Sequence, residues 1–227
     1  MRCAGQGRDR GCADRAAWEL QLLNPLGTAY QLALGYAVPE AGRVIRRART
    51  LCDRIGQPVQ RFLAMFGQWA WHVSRGDLRL CMRLADEAME FAERVADPGM
   101  KMEALFLAGL TRVYGGDFAG AREYCGRALA NYDDRERTKK WATYIGVDSG
   151  PIHRQYLAVA LWHLGYPDQA LNVNREALAL ARTGGQPLTV AQAGHHAAWL
   201  YQHCRLGAKT VVTAEEESAI AAEQGYA

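Results

Sequence analysis

The sequence has no long apolar run and little lysine. No stretch approaches the roughly 20 apolar residues that a membrane-spanning helix needs, and the N-terminal segment MRCAGQGRDRGCADRA lacks the hydrophobic core of a signal peptide. Only four of the 27 basic residues are lysine, and the formal net charge is +3, which is too small an excess to indicate nucleic acid as a partner. We expect a cytoplasmic chain that binds neither membranes nor nucleic acid.

Closely spaced cysteine pairs and catalytic signatures are also missing. None of the six cysteines forms a C-x-x-C motif, which favours reduced, buried thiols in a cytoplasmic protein. There is no G-x-S-x-G, no H-E-x-x-H and no glycine-rich phosphate-binding loop. We therefore predict no enzyme activity, no catalytic residue and no cofactor. The cysteines are Cys3, Cys12, Cys52, Cys81, Cys125 and Cys204.

A five-fold internal repeat is present instead. Steps of +3, +7, +10 and +11 from five starting positions meet mainly apolar residues, and those at +0 and +7 are mostly small. These steps place the side chains on one stripe of an α-helix, where small residues permit close approach of a neighbouring helix. Each copy is therefore predicted to be the second helix of a pair. The five copies start at Ala41, Cys81, Ala121, Ala170 and a weaker Val211.

Turn signals precede most copies by about five residues: GYAVPE from Gly35, GDL from Gly76, GDF from Gly116 and GYPDQA from Gly165. Glycine ends one helix, and aspartate or proline begins the next. The pattern predicts an all-α, tetratricopeptide-like α-α superhelix (a solenoid) of about five helix pairs. A poorly ordered tail is expected over 1–16 and the repeat domain over 17–227. The pairs are expected at about 17–56, 58–97, 99–133, 150–183 and 187–224.

A longer connection over 133–151 separates the third and fourth pairs. Its composition predicts a structured loop that projects from the stack and carries the densest basic run of the chain, beside Trp141. A solvated loop anchored by this one aromatic side chain and a binding loop are both compatible with the sequence. The basic residues are Arg135, Arg137, Lys139 and Lys140.

Several segments resemble the tetratricopeptide repeats in the C-terminal region of bacterial signalling proteins, where a class III adenylate/guanylate cyclase domain precedes an AAA (STAND-type) ATPase. The likeness runs from about Trp18 to the end of the chain, and LWHLGYPDQAL is its most specific stretch. The other segments are LGTAYQLALGYAVPE (26–40), RGDLRLCMRLADEAMEFAERVADP (75–98), ALANYDDRE (128–136), AVALWHLGYPDQALNVNREALALAR (158–182) and AIAAEQGY (219–226).

The resemblance implies a regulatory or interaction region without chemistry of its own. The sequence contains neither a cyclase segment nor a G-x-x-x-x-G-K-[ST] loop, and it stops at EQGYA where relatives would continue. We therefore expect a fragment or an offshoot of a cyclase–ATPase regulator. An uncapped final pair would expose apolar surface, which predicts self-association at that end.

The resemblance also implies a binding groove built from the first helices of the pairs. The side chains at matching positions are aromatic and apolar with a few polar tips, which suits an extended peptide or a partner helix. The same stripe is also typical of packing between helices. The positions are Phe66, Val73, Phe106, Tyr114, Gln155, Val159, Trp162, His163, His196 and His203.

Two other clusters have competing interpretations. His195, His196, His203 and Cys204 suggest a metal site and a metal-dependent enzyme, but two turns of helix separate His196 from His203 by about 10 Å, too far for one ion. Histidines packed at a helix interface are therefore favoured, and no metal is predicted. A run of arginines could attract phosphate, although a solvated face is favoured. These arginines are Arg43, Arg46, Arg47, Arg49 and Arg54.

The leading hypothesis is a non-catalytic interaction and scaffold module that docks a protein or peptide partner, such as a cyclase/ATPase signalling protein. The alternative is a ligand-sensing repeat domain that holds a peptide or a small effector in the groove.

Overall fold

A computed structural model describes residues 6–130, 132 and 135–226. Eleven α-helices and no strand occur among these residues, so the all-α prediction is confirmed. None of the described helices combines the length and the apolar character that crossing a bilayer requires. The helices are α1 (Gln6–Leu34), α2 (Pro39–Ile55), α3 (Pro58–Val73), α4 (Leu78–Val95), α5 (Pro98–Gly115), α6 (Phe118–Leu129), α7 (Arg135–Ile145), α8 (Ser149–His163), α9 (Pro167–Gly184), α10 (Pro187–His203) and α11 (Gly207–Gln224).

The chain divides into two compact units, of which the first ends at Asp77. In this unit α2 packs against both α1 and α3, and Leu20 and Leu51 lie in the core. Gly42 lets α2 come close to α3, because a Cβ there would lie 2.7 Å from the Trp71 ring. The Trp71 indole N–H donates to the Val38 carbonyl over 3.0 Å, which ties α3 to the start of α2.

The second unit begins at Leu78 and contains α4 to α11. Three helical hairpins, α5–α6, α8–α9 and α10–α11, follow one another in this unit. The first helices α5, α8 and α10 contact in sequence, and each second helix also reaches the first helix of the next hairpin, as α6 does with α8 and α9 with α10. Nearest-neighbour packing of this kind is the stabilising principle of repeat proteins.

Short-range signals set the helix boundaries. Asp97 and Asp117 each accept a hydrogen bond from a backbone N–H three residues later, at 2.8 and 2.9 Å, and so satisfy free donors at the starts of α5 and α6. Proline occupies the first turn of α2, α3, α5, α9 and α10, where its missing N–H is harmless. Gly116 ends α5 with a φ of 78°, a conformation that glycine adopts without strain.

The repeated small residues lie where helices pack. In the first four copies the residues at +0 and +7 are completely or almost completely buried. In the fourth copy, which lies on α9, Ala170 packs with Leu161 of α8 and Leu200 of α10. The eight residues are Ala41, Ala48, Cys81, Ala88, Ala121, Ala128, Ala170 and Ala177.

The fifth copy behaves differently. None of the described residues of α11 is buried, and Val211 and Val212 are both more than half exposed. Apolar surface is therefore present on α11, while self-association through it stays a prediction.

Helices occur in two segments for which the sequence analysis names no helix, while its domain bounds stay predictions. α7 occupies residues 135–145 of the segment 133–151, which the sequence analysis assigns to a loop; its sequence RERTKKWAT is rich in helix-forming residues. Trp141 is only 2% exposed and packs where Gly99 leaves room beside α5. α1 begins at Gln6, inside the expected tail of residues 1–16, whereas residues 1–5 lie outside the described part of the chain.

Polar groups are buried between α5 and α8. The Ser149 hydroxyl donates to Glu103 Oε1 over 2.6 Å. Burial, together with the nearby charge of Asp148, raises the pKa of Glu103 to about 8, although the hydrogen bond from Ser149 opposes the shift. His153 is also fully buried, neither of its ring nitrogens has a hydrogen-bond partner among the described residues, and burial lowers its pKa to about 3. Both groups are therefore uncharged in the folded protein at neutral pH.

These buried groups predict a stability maximum near pH 6.5. Glu103 has an ordinary pKa of 4.5, so the unfolded chain loses this proton between pH 4.5 and 8 while the folded chain keeps it, and stability falls as pH rises. His153 and His196, with folded pKa values of about 3 and about 4, take up protons below pH 6.5 mainly when unfolded. Their combined effect makes stability fall as pH drops below 6.5.

Thermal unfolding measured from pH 4 to 9 checks this expectation. Glu103→Gln keeps an acceptor for Ser149 and should flatten the profile between pH 6.5 and 8. The same substitution should steepen the profile between pH 4.5 and 6.5, where the contribution of Glu103 opposes that of the histidines. Identical alkaline profiles for the two proteins would contradict the assignment.

Ala170→Leu tests the close packing of the hairpins. Because Ala170 is completely buried, the added volume should lower the free energy of unfolding by about 1–3 kcal/mol. Ala179→Leu is the matched control, since Ala179 lies exposed on the same helix and its substitution should change stability by about 0.5 kcal/mol or less. Urea denaturation measures both, and equal losses would argue against the packing role of Ala170.

Candidate functional site

The ten predicted groove residues fall into both units. Phe66 and Val73 lie on α3 in the first unit and are half-buried, with the Phe66 ring 5.9 Å from that of Trp69. The other eight all lie on α5, α8 or α10, the three first helices that contact one another in the second unit. The second unit therefore holds most of the candidate groove.

Three of these eight residues serve packing. Gln155 and Val159 are 0% and 2% exposed, and the Gln155 amide donates to the Ala193 carbonyl over 3.1 Å, which links α8 to α10. Phe106 is buried on α5 with its ring 5.1 Å from that of His153 on α8. These side chains hold the first helices together and are not accessible to a partner.

Exposed and half-buried rings form a continuous row across the second unit. The Phe118 and His163 rings stack at 3.9 Å, and the His163 ring lies 5.5 Å from that of His203. His203 in turn lies 5.5 Å from Trp199, and Trp199 lies 6.4 Å from Tyr114, which is 49% exposed. We call these five residues, Phe118, His163, His203, Trp199 and Tyr114, the aromatic row.

Two further contacts brace the aromatic row. Trp162 lies half-buried with its ring 5.0 Å from that of His203. The Trp199 carbonyl can only accept a hydrogen bond, so His203 Nδ1, 2.8 Å away, must donate to it. The orientation of the His203 ring is therefore fixed by its own helix and by a neighbouring helix.

A hydrogen-bond chain runs behind the aromatic row and has a fixed direction. Burial lowers the pKa of His196 to about 4, so its ring is neutral at pH 7 and carries one proton. Nδ1 lies 2.6 Å from the Gln192 carbonyl, which only accepts, so that proton is on Nδ1. Nε2 therefore accepts from the Tyr156 hydroxyl at 2.7 Å. The Tyr156 oxygen is left to accept from the Tyr114 hydroxyl at 3.3 Å.

A cleft of about 390 Å³ opens at the Tyr114 end of the aromatic row, between α5, α10 and α11. We call it the Trp199 cleft. Its polar groups include Glu217, whose Oε1 lies 3.3 Å from His195 Nδ1. Partial burial raises the pKa of Glu217, and the contact with His195 opposes this shift. The cleft is lined by Tyr114, His195, His196, Ala198, Trp199, Gln202, Thr210, Ala214 and Glu217.

Sequence reasoning missed Tyr156, Trp199 and Glu217 as parts of this site. Trp199 lies three residues after His196 and four before His203, so the helical period alone could have placed it on the same face. Glu217 lies in the weak fifth copy, whose pattern carries no signal for a site. Tyr156 becomes important only because Tyr114 and His196 approach it from two other helices.

The histidine cluster does not gather ligands for a metal. Both ring nitrogens of His196 are engaged in hydrogen bonds. Across the described residues, no group of three or more His, Cys, Asp or Glu side chains is arranged to hold a metal ion. The described cysteines Cys52, Cys81, Cys125 and Cys204 form no disulfide with one another, whereas the side chains of Cys3 and Cys12 lie outside the described part.

Three arginines of the run on α2 are engaged within the first unit. Arg47 donates to both carboxylate oxygens of Glu19, at 2.6 and 2.9 Å. Arg43 pairs with Glu40 at 2.7 Å, and the Arg46 guanidinium lies 5.7 Å from the Trp71 ring centre. Local carboxylates and an aromatic ring therefore occupy these side chains.

The direction of the hydrogen-bond chain predicts that His196 is the Nδ1–H tautomer, which long-range ¹H–¹⁵N correlation spectra report directly. Tyr156→Phe removes the donor to Nε2 and should lower the free energy of unfolding by about 1–3 kcal/mol, because a buried acceptor loses its partner. Tyr166→Phe, at an exposed tyrosine, is the control. A proton found on Nε2 would contradict the proposed direction.

No protein-family model and no curated protein matches the chain. Two solved structures of nearly identical TPR-like repeats from Podosopora anserina, described as kinesin light chain repeats, are similar to it. One covers 90% of this chain and 95% of its own length with a TM-score of 0.56, and the other covers 90% and 96% with a TM-score of 0.55, both at 13% identity. Identity this low shows the fold alone, and that fold is a tetratricopeptide-like α-α solenoid.

Proposed function

We propose that the chain is a non-catalytic protein–protein interaction module that holds a peptide or a partner helix along the aromatic row. The observation that carries this proposal is the row itself: five contacting rings from α5, α6, α8 and α10 are exposed or half-buried. Rigid aromatic side chains supply large contact areas at little entropic cost, and they dominate binding energy at interfaces.

The packing behind the row supports a binding role. Gln155 and Phe106 fix the spacing of α5, α8 and α10. The hydrogen-bond chain from Tyr114 to His196 orients the Tyr114 ring of the row. A partner would therefore meet a preorganised surface, and little binding energy would be lost in ordering it.

The proposed partner is a protein of a bacterial signalling system in the cytoplasm, of the cyclase or ATPase type. Support for this context comes from the likeness of LWHLGYPDQAL and the other repeat segments to the C-terminal regions of such proteins. Within this proposal the chain acts as a scaffold. It is a fragment or an offshoot of a cyclase–ATPase regulator.

A second candidate is a ligand-sensing repeat domain for a small effector. The Trp199 cleft favours it, since about 390 Å³ falls within the usual range of small-molecule sites. Thermal shifts distinguish the two functions: a small effector raises the melting temperature with its concentration in the absence of any peptide.

Peptide display on the purified chain tests the leading proposal. We expect enriched peptides whose affinity falls at least about tenfold in Tyr114→Ala and in His163→Ala, because both exposed rings lie in the row. Tyr166→Ala is the control, since Tyr166 is 43% exposed but lies outside the row. Fluorescence anisotropy measures the affinities. Peptides that bind all three variants as well as the parent chain would exclude the row as the docking surface.

A further inference from the structure

Two polar groups that line the Trp199 cleft, the Tyr114 hydroxyl and the Glu217 carboxylate, offer hydrogen-bond acceptors. The single proton of His196 is committed to the Gln192 carbonyl, and the Tyr156 proton is committed to His196. The Tyr114 hydroxyl must therefore donate inward to Tyr156. Its oxygen consequently offers only lone pairs to a molecule in the cleft.

Glu217 adds a carboxylate to the same wall. Its side chain is 23% exposed, so it is shielded from water more than a surface carboxylate is. Its partner His195 has a side chain that is 65% exposed, and its Nδ1 contacts only Oε1 of Glu217, at 3.3 Å. A carboxylate accepts more than one hydrogen bond, so a ligand in the cleft can share Glu217 with His195. No lysine or arginine is among the described residues that line the cleft. The cleft therefore combines an acidic group with an acceptor at the Tyr114 oxygen, beside the Gln202 amide, which can both donate and accept.

Two aromatic faces complete the cleft. The Tyr114 and Trp199 rings lie nearly parallel, at an angle of 21°. The face of an indole attracts cations, and a guanidinium group stacks on such a face while its N–H groups point outward in one plane. A carboxylate is the acceptor that this planar set of donors matches best.

We propose that the Trp199 cleft binds the guanidinium group of an arginine side chain that a peptide partner supplies. This inference rests on the proposed interaction function and specifies the chemistry of the partner. Stacked on Trp199, the guanidinium donates to Glu217 and to the Tyr114 oxygen. Lysine lacks the planar face that stacks, so arginine is the preferred residue.

Other ligand classes fit the cleft less well. An anionic group such as a phosphate or a carboxylate would meet Glu217 and the lone pairs of Tyr114, and like charges repel. A purely apolar side chain would bury Glu217 further without supplying a donor, which costs free energy. A guanidinium cation both donates hydrogen bonds to the acceptors and stacks on the aromatic rings.

The test uses the full chain and two small probes, N-acetyl-arginine amide and N-acetyl-citrulline amide. Citrulline keeps the length and planarity of arginine but lacks its charge. NMR titration follows the Trp199 indole N–H, assigned with the Trp199→Phe variant. We expect a saturable shift with the arginine probe and binding at least about tenfold weaker with the citrulline probe, since hydrogen bonds to charged groups are the stronger ones.

Matched variants locate the interaction. Glu217→Gln should weaken binding of the arginine probe about tenfold, and Tyr114→Phe should weaken it by about two- to tenfold, through loss of one hydrogen bond. Glu216→Gln is the control, because Glu216 pairs with Arg182 at the surface and does not line the cleft. Circular dichroism confirms that each variant is folded.

With the two probes, any of three results would overturn the proposal: equal binding of the two probes, unchanged arginine binding in Glu217→Gln, or no saturable shift. The interaction function is judged separately, from the peptides that display selects. If peptides without arginine bind along the aromatic row and ignore Glu217, the arginine site fails while the interaction function stands. If the arginine probe binds as expected and display yields no peptide, the interaction function fails and the cleft is a site for a small cation.

Discussion

Close approach of helices at small side chains is the constraint on which the structure depends. Within each unit, the alanine or cysteine residues at the start and middle of the second helices are almost completely buried, which lets neighbouring helices approach closely. No single hairpin can bury its apolar stripe alone, so the stability of each unit arises at the interfaces. The position of every ring in the aromatic row follows from these helix spacings.

Buried polar groups give the stack its specificity. Apolar packing alone tolerates small shifts of one helix along another. The bond from Ser149 to Glu103 joins α5 to α8 at one register, and the bond from Gln155 to Ala193 does the same for α8 and α10. The chain from Tyr114 through Tyr156 to His196 then crosses all three first helices. The positions of the side chains on a binding surface formed by these helices are therefore fixed as well.

The sequence predicts what depends on near neighbours along the chain. Helix periods, turn glycines and capping aspartates act over a few residues, so the hairpins around Asp117 and Pro167 could be placed without coordinates. Whether a given side chain faces the core or the solvent is harder to predict from the sequence than the helix boundaries are. α8 is contacted by α5, α6, α9 and α10, so Gln155 and Val159 are buried although their spacing resembles that of an exposed stripe. The roles of Tyr156 and Glu217 in the candidate site depend on partners on other helices, which the sequence does not reveal.

Contact between α6 and α8 bypasses α7, although α7 lies between them along the chain. The continuity of the stack therefore does not run through residues 135–145, and the buried Trp141 indole beside Gly99 anchors this helix. A helix placed in this way can change in length and sequence while the surrounding hairpins keep their spacing. α7 is therefore a suitable site for inserting a fluorophore or a foreign segment, because the packing of the surrounding hairpins does not depend on it.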